Sequence, residues 1–198
     1  MRGEHMIRLH NARIMPMSSD CSVFEGELWT DGGKISYVGP AVKEGLPQFE
    51  REIDLGGDLV IPGFKNAHAH SAMTFLRSFA DDLPLQSWLF DKVFPLEARL
   101  TPEAVYAFTR LAILEYLAGG ITASFDMYFY RDAYAQANID SGFRTVICGA
   151  LSAGDKISTA ADDYKKYNSM GELISYLPGV HAEYTADEKL LRGMSELV

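Results

Sequence analysis

His68-Ala69-His70 is the triplet whose residue types and spacing could do chemistry. In an extended chain, residues i and i+2 point to the same face, so the two imidazoles would project side by side. Neutral imidazole is a good zinc ligand, and a catalytic zinc takes about three protein ligands and a water. A bare pair at this spacing also arises by chance. Its position sharpens the signal, because it ends a short run, Phe64 to His68, entered through an Ile61-Pro62-Gly63 turn. Asp126, at another strand end, reads as structural, and His5 and His10 carry no assigned role. Cys21 and Cys148 form no metal or redox pattern and read as free thiols in a reducing cytoplasm.

The elements that must position the histidines follow from patterning. The chain first predicts short strands: Ile7 to Ile14, then a hairpin turning at Asp31-Gly32-Gly33, then Ile53-Asp54-Leu55, followed by a short apolar run from Leu59 to Gly63. After Gly63 the pattern becomes strand–helix alternation. Phe64 to His68 predicts a strand, and Leu85 to Leu100 a helix that Pro95 must break or kink. Thr101-Pro102-Glu103 opens a helix with an N-cap hydroxyl and a proline at its first position, and Gly119-Gly120 closes it. Val105, Phe108, Leu111 and Ala112 are expected on its buried face. Strands are expected at Ile121 to Phe125, Arg144 to Leu151 and Gly179 to Tyr184, with helices at Arg131 to Ser141 and about Thr159 to Tyr176. Thr185-Ala186-Asp187-Glu188 predicts a capping box opening the last helix.

Four strands alternating with helices imply parallel βα units. A doubly wound sheet would show a glycine-rich phosphate turn after its first strand, and histidines stand there instead. A (β/α)8 barrel takes about 250 residues. The predicted fold is therefore α/β. Residues 1–62 form the N-terminal part of a small β-sandwich, and residues 63–198 the first four βα units of a truncated barrel.

Composition excludes several classes. The 198 residues are 47% hydrophobic and 23% charged, with a net charge of -9 and no basic run to neutralise a phosphate backbone, so nucleic acid is not expected as a partner. No stretch of about 18 apolar residues predicts a membrane span. The first six residues lack the apolar core of a secretory signal.

Val60-Ile61-Pro62-Gly63-Phe64-Lys65-Asn66-Ala67-His68-Ala69-His70 resembles the first-strand signature of the amidohydrolase superfamily, and Ser71 to Arg77 continues it. Asp81 to Leu89, Pro95 to Thr101, Gly119-Gly120-Ile121-Thr122, Phe125 to Phe129 and His181 to Thr185 are similar to its 5-methylthioadenosine/S-adenosylhomocysteine deaminase branch. The resemblance implies His68 and His70 as ligands of one divalent metal, Zn2+ with Fe2+ as the alternative. It implies Trp88 beside the purine, Glu97 accepting hydrogen bonds from the ribose hydroxyls, and His181 near the substrate. Otherwise Trp88 reads as a core aromatic, Glu97 as a face charge or cap partner, and His181 as a polar strand end. The implied activity is hydrolytic deamination of an aminopurine nucleoside such as adenosine or 5-methylthioadenosine. A Cys-x-x-Cys pair, which the cytidine-deaminase type of zinc site needs, is absent. Guanine deaminase or chlorohydrolase-like chemistry is the alternative within the superfamily, and a non-catalytic binding or assembly module the alternative outside it.

The sequence departs from that branch where members using S-adenosylhomocysteine carry an arginine for the amino-acid carboxylate; Gly149 stands there. Lys156 in the following loop could supply a point charge but no bidentate fork. The remaining metal ligands and the proton-shuttling glutamate of the family are expected beyond Val198, so no catalytic residue is assigned within these residues. The chain alone is expected to be inactive and to self-associate as a homo-oligomer, or to need a missing C-terminal half.

Overall fold

The computed structural model describes residues 6–18 and 22–197; Cys21 and His5 lie outside the described residues. The chain divides into two compact units, Met1–Pro62 and Gly63–Val198.

The first unit is a five-stranded sheet. β1 (Ile7–Ile14), β2 (Phe24–Asp31) and β3 (Lys34–Gly39) pair antiparallel, while β4 (Arg51–Asp54) and β5 (Leu59–Val60) pair parallel with β1. Gly32 and Gly33 turn the β2–β3 hairpin at φ 55° and 81°, the left-handed pair that a tight two-residue turn requires. Glu27 on β2 is fully buried. It accepts hydrogen bonds from the Arg8 guanidinium, the Trp29 indole and the Val42 amide, which together offset its desolvation.

The second unit carries a parallel sheet in the order β6 (Phe64–Ala69), β7 (Ile121–Asp126), β8 (Arg144–Cys148), β9 (Ile174–Leu177). Helices α3 (Pro102–Ala118), α4 (Arg131–Asp140) and α5 (Ile157–Tyr167) connect successive strands, and α6 (Glu188–Leu197) follows. This is the first half of a (β/α)8 barrel. Thr101 caps α3 as its hydroxyl accepts from the Ala104 amide at 3.2 Å. Val105, Thr109, Ala112 and Ile113 form the buried stripe of α3. Leu111, expected on that face, is 43% exposed, because the stripe follows the i, i+4, i+7, i+8 pattern and position 111 falls about 120° round the helix from Val105. The core packs Val105, Tyr134, Ile147, Ile174 and Tyr176 together.

Pro95 does not end its helix. Winding continues through α1 (Leu85–Ser87), a π-helical turn at Trp88–Val93 and α2 (Phe94–Glu97). Proline has no N–H to donate, and its ring crowds the carbonyl four residues back; the wider turn relieves that crowding.

The fourth strand lies at Ile174–Leu177, not at 179–184, and α5 ends at Tyr167 rather than near 176. Asn168 explains both differences. Its amide group donates to the Tyr164 and Tyr176 carbonyls at 3.0 and 3.1 Å, and its oxygen accepts from the Tyr176 amide at 3.0 Å. One side chain thus terminates the helix and pairs with the strand, where Ile174 and Tyr176 are buried and Ser175 and Leu177 exposed. The third strand stops at Cys148, with a single bridge, Leu151 to Val180, beyond it. The last helix is capped by Asp187, whose carboxylate accepts from the Leu190 amide at 2.7 Å, and not by Thr185.

Candidate metal and substrate site

β6 delivers the histidine pair through an irregularity. Asn66 pairs with Ser124 and Ala69 with Asp126, so three steps on β6 face two on β7. Such a bulge re-aims side chains at a strand end. The rings of His68 and His70 stand edge to face with centroids 5.2 Å apart, and both residues are exposed. His70 Nδ1 lies 2.8 Å from the Met127 carbonyl. A carbonyl only accepts, so Nδ1 carries the proton, and the neutral ring presents the Nε2 lone pair. A hydrogen bond of this kind to the second ring nitrogen is how ligand histidines are oriented.

Asp126, at the end of β7, is buried and accepts from the Ser71 amide and hydroxyl. Burial pushes its carboxyl above the ordinary range, against the Ser71 hydrogen bonds. It faces the turn behind His70.

A cavity of about 700 Å³ opens at the carboxyl ends of these strands, lined in part by His70, Trp88, Glu97, Tyr128 and His181. A neighbouring cavity of about 430 Å³ shares His70, Trp88 and His181 and adds His68. The five residues singled out in the sequence therefore meet around two adjoining spaces. Glu97 is half-buried, and desolvation raises its pKa; the Tyr128 hydroxyl, donating to Oε1 at 2.8 Å, opposes that rise. Tyr128 is itself shifted upward, first by burial and then by Glu97. Trp88 begins the π-helical turn. His181 follows the Leu151–Val180 bridge, its amide donating to the Leu151 carbonyl at 2.8 Å and its Nδ1 standing 3.2 Å from the Thr185 hydroxyl. Thr185, read in sequence as a helix cap, instead accepts from the Ala182 amide and holds this loop.

Sequence reasoning missed Tyr128, the Met127 carbonyl and Arg131. Arg131, whose guanidinium donates to Asp163 at 3.0 Å and to the Gly149 carbonyl, lines the larger cavity on the part that His68 does not reach. Gly149 has no room for a side chain. A Cβ there would stand 2.7 Å from the Gly179 nitrogen, 3.0 Å from its oxygen and 2.8 Å from the Tyr176 hydroxyl.

The histidine pair fits part of a divalent-cation site, since one ring has its second nitrogen already committed and its first free. Among the described residues no group of three or more His, Cys, Asp or Glu gathers for a metal. No helix among the described residues is long and apolar enough to cross a membrane.

Residues 59–196 match the model of the amidohydrolase family. The chain is 36% identical over 200 residues to a 5-methylthioadenosine/S-adenosylhomocysteine deaminase of Symbiobacterium thermophilum, a match covering 96% of this chain and 45% of that protein. It is 38% identical over 181 residues to a 5'-deoxyadenosine deaminase of Methanopyrus kandleri, covering 87% and 42%. Among solved structures, an adenosine deaminase from Xanthomonas campestris with bound zinc superposes with a TM-score of 0.85 at 28% identity, over 98% of this chain and 46% of that one. The chain spans about half the length of the curated relatives it matches. Geometry and comparison converge, and the chain belongs to the amidohydrolase family.

Proposed function

We propose that this chain supplies the cation-holding histidines and part of the substrate pocket of a hydrolytic deaminase acting on an aminopurine nucleoside, adenosine or 5-methylthioadenosine. The observation that carries the proposal is the shared cavity, lined by His70, the Glu97–Tyr128 pair and Trp88 together. The overall reaction replaces the exocyclic C–N bond at the amine-bearing ring carbon by a C–O bond, consuming water and releasing ammonia. A divalent cation, Zn2+ or alternatively Fe2+, would supply Lewis acidity and lower the pKa of a water there. His68 and His70 would hold it. Trp88 offers a flat apolar face to the purine. Glu97, an acceptor when ionised, suits the two hydroxyls of a ribose, and Tyr128 fixes the carboxylate's rotation. His181, steadied by Thr185, closes the cavity near the substrate. No described residue takes the proton-shuttling role, which we place outside these 198 residues along with the remaining ligands. The buried free thiol of Cys148 suits a reducing, cytoplasmic setting.

Ammonia release by the full-length protein tests this, with adenosine, 5-methylthioadenosine and guanine compared. The nucleosides are expected to be the better substrates. Glu97→Ala is expected to reduce discrimination between ribosides and 2'-deoxyribosides, since a site built for a hydroxyl penalises its absence. A preference for guanine, or equal selectivity in parent and variant, would overturn the assignment.

A further inference from the structure

The main chain on both sides of His70 is tied to one dipeptide, Asp126-Met127. The Met127 amide donates to the Ala69 carbonyl at 3.1 Å, and the Met127 carbonyl accepts from His70 Nδ1 at 2.8 Å. One residue further, the Ser71 amide donates to Asp126 Oδ2 at 3.1 Å, and the Ser71 hydroxyl donates to the same oxygen. The Ser71 oxygen also lies 2.9 Å from the Tyr116 hydroxyl, and Tyr134 faces the carboxylate as well. Asp126 is 1% exposed, and no Arg or Lys among the described residues pairs with it.

A buried carboxylate without a cation is an expensive way to cap a turn. An asparagine or serine would satisfy the Ser71 amide at lower cost. What the carboxylate alone provides is an acceptor at both of its atoms: Oδ2 takes the Ser71 amide and hydroxyl, Oδ1 lies 3.3 Å from the same amide, and no N–H stands in either place. Ser71 is thereby held from its main chain and its side chain together, directly after His70. Its neighbour Met127 then meets the imidazole with an acceptor.

We propose that Asp126 is a positioning residue for His70: by clamping Ser71 it holds the imidazole against the Met127 carbonyl, so that the proton stays on Nδ1 and Nε2 faces the cavity. The proposal rests on the histidine pair holding a cation, but not on the identity of the substrate.

The test uses the full-length protein, the near-isosteric Asp126→Asn, and two readouts that need no turnover. One is the tautomer of His70, read from its ring ¹⁵N signals in the metal-free protein. The other is Zn2+ affinity measured by chelator competition. The parent is expected to show His70 protonated on Nδ1 alone. Asp126→Asn, whose NH2 would stand in place of Oδ1, 3.3 Å from the Ser71 amide, is expected to show exchanging tautomers and about 10-fold weaker Zn2+ binding, at the lower end of what outer partners of ligand histidines contribute. A folded variant with an unchanged tautomer and an affinity within about twofold of the parent would overturn the proposal, as about a twofold change is far below that range. If position 126 does not tolerate substitution, Ser71→Ala removes only the hydroxyl leg. An unchanged His70 tautomer in that variant would overturn the proposal equally. Should the parent bind no Zn2+, the cation reading fails, while the tautomer comparison still decides the role of Asp126.

Discussion

Replacing Gly149 by alanine adds one methyl group where three atoms already stand. Two of them belong to the Gly179 main chain, at 2.7 and 3.0 Å from the new Cβ, and the third is the Tyr176 hydroxyl at 2.8 Å. None can yield cheaply. The Tyr176 ring is buried and stacked on Tyr167 with centroids 5.7 Å apart, and Gly179 lies between β9 and the Leu151–Val180 bridge. Overpacking of this kind costs typically about 1–3 kcal/mol, and a clash against main chain belongs at the upper end. At about 2–4 °C per kcal/mol for a domain of this size, Gly149→Ala should lower the melting temperature by roughly 6–12 °C. Gly179→Ala is the control, because its Cβ would crowd one side-chain atom, the Cys148 sulfur at 2.8 Å, and meet the Gly149 nitrogen at an ordinary 3.9 Å. A side chain can turn away, so a smaller loss is expected. Calorimetry on both variants of the full-length protein decides. A Gly149→Ala transition within about 2 °C of the parent, less than the shift for 1 kcal/mol, would refute the packing argument. It would also remove the physical reason why no arginine can stand at 149 to hold a substrate carboxylate.

Three further outcomes follow from the site and the sheet. Full-length protein should bind about one divalent ion, and His68→Ala with His70→Ala should lose it; stoichiometric metal in the double variant would exclude the pair as ligands. Burial holds the Glu97 pKa above the usual carboxylate range while Tyr128 opposes that rise, so KM for ribosides should increase as pH falls through the raised value. Tyr128→Phe should move that acid limb to higher pH, and a limb that stays or moves down would contradict the assignment. The 198-residue chain alone should self-associate and release no ammonia from adenosine. β6 and β9 are edge strands bearing Phe64 and Leu177 at 59% and 51% exposure, and open apolar edges invite pairing. A monodisperse, active monomer by light scattering would refute this.

What could be read from sequence was whatever local chemistry dictates. The His-x-His spacing, the Thr101 cap and the Gly32-Gly33 turn each act through neighbouring residues, and each stands in the structure as patterned. The fourth strand escaped because its signal was spread over distance. Asn168 ends α5 by reaching Tyr176 eight residues on, and nothing in a window around Asn168 announces that contact. Tyr128 and the Met127 carbonyl escaped for another reason. Their roles depend on β7 lying beside β6, which brings residues 57 positions apart into hydrogen-bond range. A carbonyl, moreover, carries no residue identity to read.

The π-helical turn at Trp88–Val93 has a consequence for angular phase. An α-helix advances about 100° per residue, so Trp88 and Glu97, nine positions apart, would differ by about 900°, which places them on opposite sides of a regular helix. A π turn absorbs roughly one extra residue, and that subtracts about 100°. The difference falls to about 80° beyond two full turns, and both side chains reach the same cavity. Pro95 therefore does more than perturb a helix. By favouring the wider winding, it acts as a rotational offset between an aromatic face and a carboxylate that regular geometry would have kept apart.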